Sequence, residues 1–208
     1  MAVITIWPLT DEREVVRWVP DVLPWVHEAG NPYYDWFFGS PAEASSALVE
    51  WMVRPSSEVF VGRAVLLKEG ERATGGFIAL DGARLRECRR ADAVAAMGAA
   101  GRGRREELID RMRAARRLFA PVPDDVFYLS KLGVAAAARR AGRGSQLVGA
   151  YVTRGETLGF RRFWLDVHAG NLPAIRLYRA AGFRVRSTTA GAGGDLTYLR
   201  MSLELEDA

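Results

Sequence analysis

The sequence predicts a mixed α/β fold of one domain, organised around a β-α-β unit. Residues 126–134 are predicted to form a strand, residues 163–168 have the alternating apolar pattern of a second strand, and residues 144–158 between them have the apolar spacing of a helix. Earlier in the chain, residues 58–80 contain two β-rich runs joined by a short turn, which is typical of a hairpin. A chain of 208 residues is long enough to bury one core and short for two. We therefore expect residues 1–208 to form a single domain.

The remaining elements follow from apolar spacing and from the prolines and glycines that interrupt it. Before the β-α-β unit, the pattern predicts a strand over 2–6, a helix capped by Thr10 that runs to about 29 and is kinked or split at Pro24, a helix over 41–53, and strands over 58–68 and 72–80. After the unit, it predicts a helix over 172–181 and strands over 183–187 and 196–205. The Ala- and Arg-rich stretch 83–119 is typical of two amphipathic helices with a break near 101–103.

The amino-acid composition of the chain argues against several classes of protein and of binding site. No charge-free apolar stretch approaches the ~18 residues of a membrane helix, and the N-terminus lacks the pattern of a secretion signal. We therefore expect a cytosolic protein without membrane contact. One cysteine and two histidines do not make a structural zinc site, so we expect no metal. The acids interspersed in the arginine-rich run 102–117 indicate a solvated helix face, and we do not expect nucleic-acid binding.

A turn rich in glycine and arginine follows the strand 126–134 and opens the next helix. It consists of Arg139, Arg140, Ala141, Gly142, Arg143, Gly144 and Ser145. Backbone N–H groups at a helix N-terminus bind phosphate oxygens, and the arginines would add charge-assisted donors. The turn is not a Walker A loop, because the chain has no Gly-Lys pair, and it is not a Rossmann loop, because residue 147 is Leu. Alone, this pattern also fits a tight turn without a ligand.

A second segment makes the interpretation specific. About 30 residues after the turn come Asn171, Ala174, Leu177, Tyr178, Gly182 and Phe183. The two segments together resemble the GCN5-related N-acetyltransferase (GNAT) family, whose R/Q-x-x-G-x-G/A loop precedes an N-x-x-A-x-x-L-Y-x-x-x-G-F segment. The resemblance implies acetyl-CoA, or another short acyl-CoA, as the cofactor. It also implies a mixed, mostly antiparallel sheet with a central parallel β-α-β unit and helices on both faces. Residues 83–120 would be a helical insertion between the third and fourth strands, and 126–187 the cofactor-binding core.

The resemblance assigns roles to particular residues. Backbone groups of Leu132, Gly133 and Val134 would polarise the thioester carbonyl and pair with pantetheine, the glycine-rich turn would hold the pyrophosphate, and Asn171 and Ala174 would lie against pantetheine. Tyr178 would protonate the departing thiolate. Asp166, twelve residues before Tyr178, occupies the position of a glutamate proposed as the base in some relatives, although its side chain is shorter. Asn171 is also a natural helix N-cap.

The acceptor side of the site is predicted from a cluster of aromatic residues. The predicted residues are Tyr33, Tyr34, Asp35 and Trp36, which would lie in a loop between the first helices. The resemblance implies that this loop walls the acceptor site. Its aromatic rings would pack on the carbon skeleton of the acceptor amine, and the Asp35 carboxylate would bind the amine's positive charge. His168 shares a strand face with Asp166, and a histidine side chain can act as a base near neutral pH. The sequence thus predicts acetyl transfer to the primary amine of a small molecule. Transfer to a protein N-terminus or lysine, and a non-catalytic acyl-CoA sensor, stay as alternatives. The family resemblance alone suggests a homodimer.

Overall fold

The β-branched and aromatic runs of the chain form a twisted central sheet. The computed structural model describes residues 5–8, 12–191 and 195–206. Its strands are β1 (Thr5–Pro8), β2 (Val65–Glu69), β3 (Arg72–Asp81), β4 (Val126–Val134), β5 (Arg162–His168), β6 (Arg184–Ala190) and β7 (Thr197–Glu204). They lie in the order β1-β2-β3-β4-β5-β7-β6. Strands β4 and β5 are parallel and every other neighbouring pair among the described strands is antiparallel, so the predicted mixed sheet is confirmed.

Helices cover both faces of this sheet. They are α1 (Glu12–Gly30), α2 (Tyr33–Phe38), α3 (Pro41–Met52), α4 (Gly82–Ala99), α5 (Arg105–Leu118), α6 (Arg143–Thr157) and α7 (Leu172–Ala180). Successive side chains of a strand point to opposite faces, and β4 shows this directly. Tyr128 packs in the cluster beneath α1–α4, whereas Phe127 and Leu129 pack in the cluster beneath α6 and α7. The sheet therefore has an apolar core on each side, as predicted.

The helical insertion also has the predicted form. Helices α4 and α5 lie between β3 and β4 and are separated by a short 3₁₀ turn at Arg102–Arg104. Asp81 is the N-cap of helix α4, and its side chain accepts a hydrogen bond from the Arg84 N–H at 2.8 Å. None of the helices in the described ranges combines the length and apolar character that crossing a membrane requires.

Two local predictions were wrong, and a third was wrong in part. Helix α1 runs through Pro20 and Pro24 and is not split, because its buried face, which includes Trp18 and Trp25, packs on the sheet and outweighs the ~3 kcal/mol cost of an interior proline. The aromatic cluster is the short helix α2 rather than a loop. The strand predicted over 58–68 begins only at Val65; Thr10, the predicted cap, lies outside the described residues.

The delayed start of β2 has a clear cause. The Glu58 N–H donates to the Asp92 carboxylate at 2.9 Å, and the Arg63 N–H donates to the Phe60 carbonyl at 3.1 Å. These contacts use backbone groups that a strand would need for its ladder. The segment between α3 and β2 therefore forms turns, with a 3₁₀ turn at Val61–Arg63.

Strand β4 changes partners halfway along its length. Its parallel pairing with β5 covers Val126 to Leu129 and then ends. Opposite β3, the register shifts where Ile78 pairs with Lys131 and Ala79 pairs with Leu129, so Ser130 is an inserted bulge residue. Beyond the bulge, β4 continues along β3 to Val134 while β5 continues along β7. A wedge-shaped opening therefore separates the carboxyl ends of β4 and β5.

Two glycines of α6 test how this helix packs on the sheet. A Cβ on Gly155 would lie 2.3 Å from the Phe163 ring and 2.8 Å from the Phe127 ring, whereas one on Gly149 meets nothing within 4 Å. We expect Gly155→Ala to lower the free energy of unfolding by about 1–3 kcal/mol through overpacking. Gly149→Ala should raise it by about 0.5–1 kcal/mol, because alanine favours the helix. Urea unfolding of both variants measures this, and equal effects would contradict the packing described.

Candidate active site

The glycine-rich turn presents free backbone donors at the start of α6. The first hydrogen bond of the helix runs from the Gln146 N–H to the Gly142 carbonyl at 3.1 Å. The N–H groups of Arg143, Gly144 and Ser145 have no acceptor in the described part of the chain, and no side chain caps this end. Arg140 and Gly142 adopt positive φ angles of 64° and 74°, which curl the turn around these donors. This arrangement binds anionic oxygens.

The arginines of the turn divide into two kinds. Arg139 donates to the Val134 carbonyl at 2.9 Å and pairs with Glu28, and Arg143 donates to the Ala138 carbonyl at 2.7 Å and pairs with Glu69. These two side chains brace the turn against its neighbours. Arg140 is exposed and has no described partner, which leaves it available to a phosphate.

The second motif segment begins at Asn171, directly after β5, and contains helix α7. Asn171 caps α7, and its Oδ1 accepts from the Ala174 N–H at 3.2 Å, as its preference for helix N-caps predicts. Tyr178 is 7 % exposed, and its hydroxyl makes no hydrogen bond with the described residues. Burial raises the pKa of Tyr178, so the phenol keeps its proton across the working pH range. A phenol that keeps its proton can act as a general acid.

These features fit acetyl-CoA. The half of β4 that contains Leu132, Gly133 and Val134 has lost its strand partner on the β5 side, so its backbone groups on that edge can pair with pantetheine amides like an added strand. The free N–H groups at the start of α6 suit the pyrophosphate. The Tyr178 hydroxyl, which keeps its proton, is the candidate proton donor that the sequence analysis named.

A cavity of about 240 Å³ lies on the other face of the sheet, at the same opening. Its walls come from helices α1 to α5, strands β4, β5 and β7, and the turns before β2. The bulge at Ser130 sends both Ser130 and Lys131 into this cavity. Three residues that the sequence predicted for the acceptor site or for catalysis line it, namely Tyr33, Tyr34 and Asp166.

Three predicted acceptor residues do not line the cavity. The Asp35 carboxylate is bound by His27 Nε2 at 2.6 Å and by Asn31 Nδ2 at 3.0 Å, and Trp36 packs against the ring of Tyr33. His168 accepts from the Gly170 N–H through Nδ1 at 3.2 Å and contacts the Asp195 carbonyl through Nε2 at 3.0 Å. Both ring nitrogens are thus used within the chain, and the structure does not bring His168 together with Asp166 at the cavity.

Asp166 is buried in a strong set of contacts. Arg200 donates to its two oxygens at 2.9 and 2.8 Å, and the Tyr128 hydroxyl donates to Oδ2 at 3.0 Å. Arg200 also binds the carbonyls of Ala120 and Pro121, so the pair fixes the end of the insertion to the sheet. Tyr128 lines the cavity as well and therefore connects Asp166 to it.

The sequence analysis missed a charged network in the cavity wall. Glu58 is at its centre: Arg89 Nε donates to one oxygen at 3.0 Å, Ser130 Oγ donates to the other at 2.7 Å, and Lys131 Nζ lies 3.7 Å away. Burial alone would raise the pKa of Glu58, but Arg89, Lys131 and Ser130 lower it to about 2. Burial lowers the pKa of Lys131, which weakens its hold on a proton.

Two sequence signals point to this network. Lys131 is one of two lysines in the chain and stands in an apolar strand run. Asp92 falls on the buried stripe of α4 with Leu85, Cys88 and Ala96, so helical spacing puts a carboxylate inside. Glu58 gives no such signal, because its place depends on contacts with distant residues.

Asp92 makes stability depend on pH. Burial raises the pKa of Asp92 from 3.8 to about 6, against a hydrogen bond from the Glu58 N–H that lowers it. A carboxyl group with a raised pKa binds its proton more tightly in the folded state than in the unfolded state. Protonation of Asp92 therefore stabilises the fold fully below pH ~4, and this stabilisation is lost as the pH rises through ~6. We expect the unfolding free energy of the wild type, relative to Asp92→Asn, to rise by about 2–3 kcal/mol from pH 7 to pH 4. Urea unfolding at each pH measures this, and a constant difference would contradict it.

Comparison with known proteins agrees with this geometry. The model of the acetyltransferase (GNAT) family matches residues 14–183. No curated protein sequence matches the chain. Among solved structures, an N-acetyltransferase from Staphylococcus aureus Mu50 is similar at 15% identity and a TM-score of 0.67, covering 97% of this chain and 100% of its own.

Two further similar structures have named substrates. An agmatine N-acetyltransferase variant shows 19% identity and a TM-score of 0.58, covering 97% of this chain and 99% of its own. A polyamine N-acetyltransferase from Drosophila melanogaster shows 15% identity and a TM-score of 0.58, covering 99% and 100%. At these identities the likeness shows the fold alone. GNAT acetyltransferases use acetyl-CoA as the acyl donor, and because the family model covers most of the sequence, this chain belongs to the GNAT acetyltransferase family.

Proposed function

We propose that this acetyltransferase transfers the acetyl group to a primary amine of a small molecule, within a ternary complex of both substrates. The observation that carries the proposal is the cavity of about 240 Å³ that reaches the opening between β4 and β5. Helices α2, α4 and α5 wall the cavity, which suits a small acceptor better than a protein chain. The similar agmatine and polyamine enzymes act on small amines by their names, and this agrees with the proposal.

The proposed donor site extends from the free edge of β4 to the start of α6. Backbone groups of Leu132, Gly133 and Val134 pair with pantetheine, and one N–H polarises the thioester carbonyl. The N–H groups of residues 143–145, with Arg140, bind the pyrophosphate. Arg139 and Arg143 hold the shape of the turn through their ion pairs. Asn171 uses its Oδ1 as the helix cap and keeps its amide N–H groups for pantetheine.

Bound acetyl-CoA supplies an acyl carbon activated as a thioester. The amine nitrogen of the acceptor forms a bond to that carbon as the carbon–sulfur bond breaks, and the electron pair of that bond goes to sulfur. Tyr178 then gives its proton to the thiolate, whose basicity suits a phenol donor. The attacking nitrogen becomes positively charged when it bonds to the acyl carbon, and it must lose one proton to give the neutral amide product.

We propose that this proton leaves through Tyr128 to Asp166. The Tyr128 hydroxyl lines the cavity and already donates to Asp166 Oδ2 at 3.0 Å. It takes the proton of the amine as it passes its own to the carboxylate. Asp166 thereby keeps the role of base that the sequence suggested, with the Tyr128 hydroxyl in place of the bridging water that its short side chain would require.

Replacing Tyr178 tests the thiolate step. Because its hydroxyl has no hydrogen bond among the described residues, Tyr178→Phe should leave the fold and the acetyl-CoA affinity unchanged. We expect kcat to fall about 10²–10⁴-fold, the usual contribution of a general acid. Thiol release under saturating acetyl-CoA measures kcat, and the increase in melting temperature on adding acetyl-CoA reports binding. A variant that binds acetyl-CoA and turns over at the wild-type rate would refute the assignment.

Tyr128→Phe tests the proposed path by which the amine proton leaves through Tyr128 to Asp166. It interrupts the path but leaves Asp166 paired with Arg200, whereas Asp166→Asn breaks a buried ion pair at a cost of about 3–5 kcal/mol. Wild-type kcat in Tyr128→Phe at every pH would mean that Asp166 only fixes Arg200 in place.

A further inference from the structure

The cavity carboxylates are already neutralised by the protein. Asp92 pairs with Arg54 at 3.2 Å, Glu58 with Arg89 at 3.0 Å, and Asp166 with Arg200 at 2.8 Å. A cationic group on the acceptor would have to displace one of these partners, since the cavity wall contains three carboxylates in all. The cavity is therefore poorly suited to a second positive charge, such as a guanidinium or another ammonium group.

Two arginines in the same wall have no counter-charge. Arg90 on α4 and Arg116 on α5 line the cavity and are exposed. Within the ranges that the structure describes, neither makes a hydrogen bond, an ion pair or a ring contact. By contrast, Arg111 and Arg113 on α5 pair with neighbouring acids of their own helix.

The summed charge of the wall is positive. Four cationic side chains line it, namely Arg89, Arg90, Arg116 and Lys131, against three carboxylates. Positive potential attracts an anionic group to the cavity mouth and disfavours the protonated form of an amine inside. It therefore helps to supply the neutral amine that the reaction requires. A guanidinium group is also the donor that matches a carboxylate or phosphate with two parallel hydrogen bonds.

We propose that the acceptor carries an acid group, a carboxylate or a phosphate, in addition to its amine, and that Arg90 and Arg116 bind that group. The inference rests on the proposed function and narrows its substrate class to amines of the amino-acid or aminoalkyl-phosphate type. It separates this chain from enzymes whose acceptors are polycations, although the fold is shared.

The experiment compares amines that differ by the acid group alone. Arginine is paired with agmatine and lysine with cadaverine for the carboxylate, and O-phosphoethanolamine with ethanolamine for the phosphate. Each is tested for thiol release at fixed acetyl-CoA. We expect kcat/KM to be at least about tenfold higher for the acid-bearing member of at least one type of pair, as one charge-assisted contact can provide. The type of pair that responds identifies the acid. Higher kcat/KM for agmatine, cadaverine and ethanolamine would overturn the inference.

Variants assign the effect to the two arginines. Arg90→Gln and Arg116→Gln should each raise KM for the acid-bearing amine about tenfold, with kcat, KM for acetyl-CoA and kcat/KM for the partner that lacks the acid group unchanged. Arg117→Gln is the matched control, because Arg117 is the exposed neighbour of Arg116 on α5 and lies outside the cavity wall. Unchanged KM values in both cavity variants would overturn the inference.

Melting with acetyl-CoA separates the two possible failures. If acetyl-CoA stabilises the protein but no acid-bearing amine is acetylated in preference to its partner, the inference on the acceptor fails and the donor site stands. If acetyl-CoA does not raise the melting temperature, the proposed function fails together with it.

Discussion

The separation of β4 from β5 is the constraint on which the rest of the site depends. Parallel pairing ends at Leu129, and the bulge at Ser130 then turns β4 away with β3. A strand that stays inside a sheet has no free backbone groups to offer, whereas this half of β4 has one free edge. The same bulge sends Ser130 and Lys131 into the cavity. One irregularity in a strand thus creates both the free edge of β4 and part of the cavity wall.

Buried charge connects the helical insertion to this centre. Glu58, from the turns before β2, is bound by Arg89 of α4 and by Ser130 and Lys131 of β4, and Asp92 of α4 holds the Glu58 N–H. Buried ion pairs are not efficient stabilisers, because desolvation offsets most of their attraction. The network instead fixes the position of α4 against the sheet, and it lines the cavity with polar and charged groups at the opening between β4 and β5.

The sequence predicts the proposed donor site more fully than the proposed acceptor site. The proposed donor groups are backbone N–H groups at a turn and along one strand, so residues 139–145 and Asn171 to Phe183 indicate them by local spacing. The acceptor wall instead combines Glu58, Arg89, Lys131 and Asp166, which are distant in sequence and meet only through the fold. Asp35 and His168 had suitable chemistry, but local partners occupy their polar atoms. The prediction for residues 58–68 failed for the same reason, since a contact with Asp92 outweighed strand propensity.

Amide hydrogen exchange with and without CoA tests the central claim most directly, since it reports each backbone N–H. If the free edge of β4 and the start of α6 bind the donor, amides within residues 131–134 and 143–145 gain protection when CoA is added. Amides of β6, on the far edge of the sheet, serve as the internal reference and should not change. Protection of residues 143–145 without any change in 131–134 would mean that the turn binds phosphate but that the edge of β4 does not hold pantetheine. Protection of neither segment would contradict the account of the site as a whole.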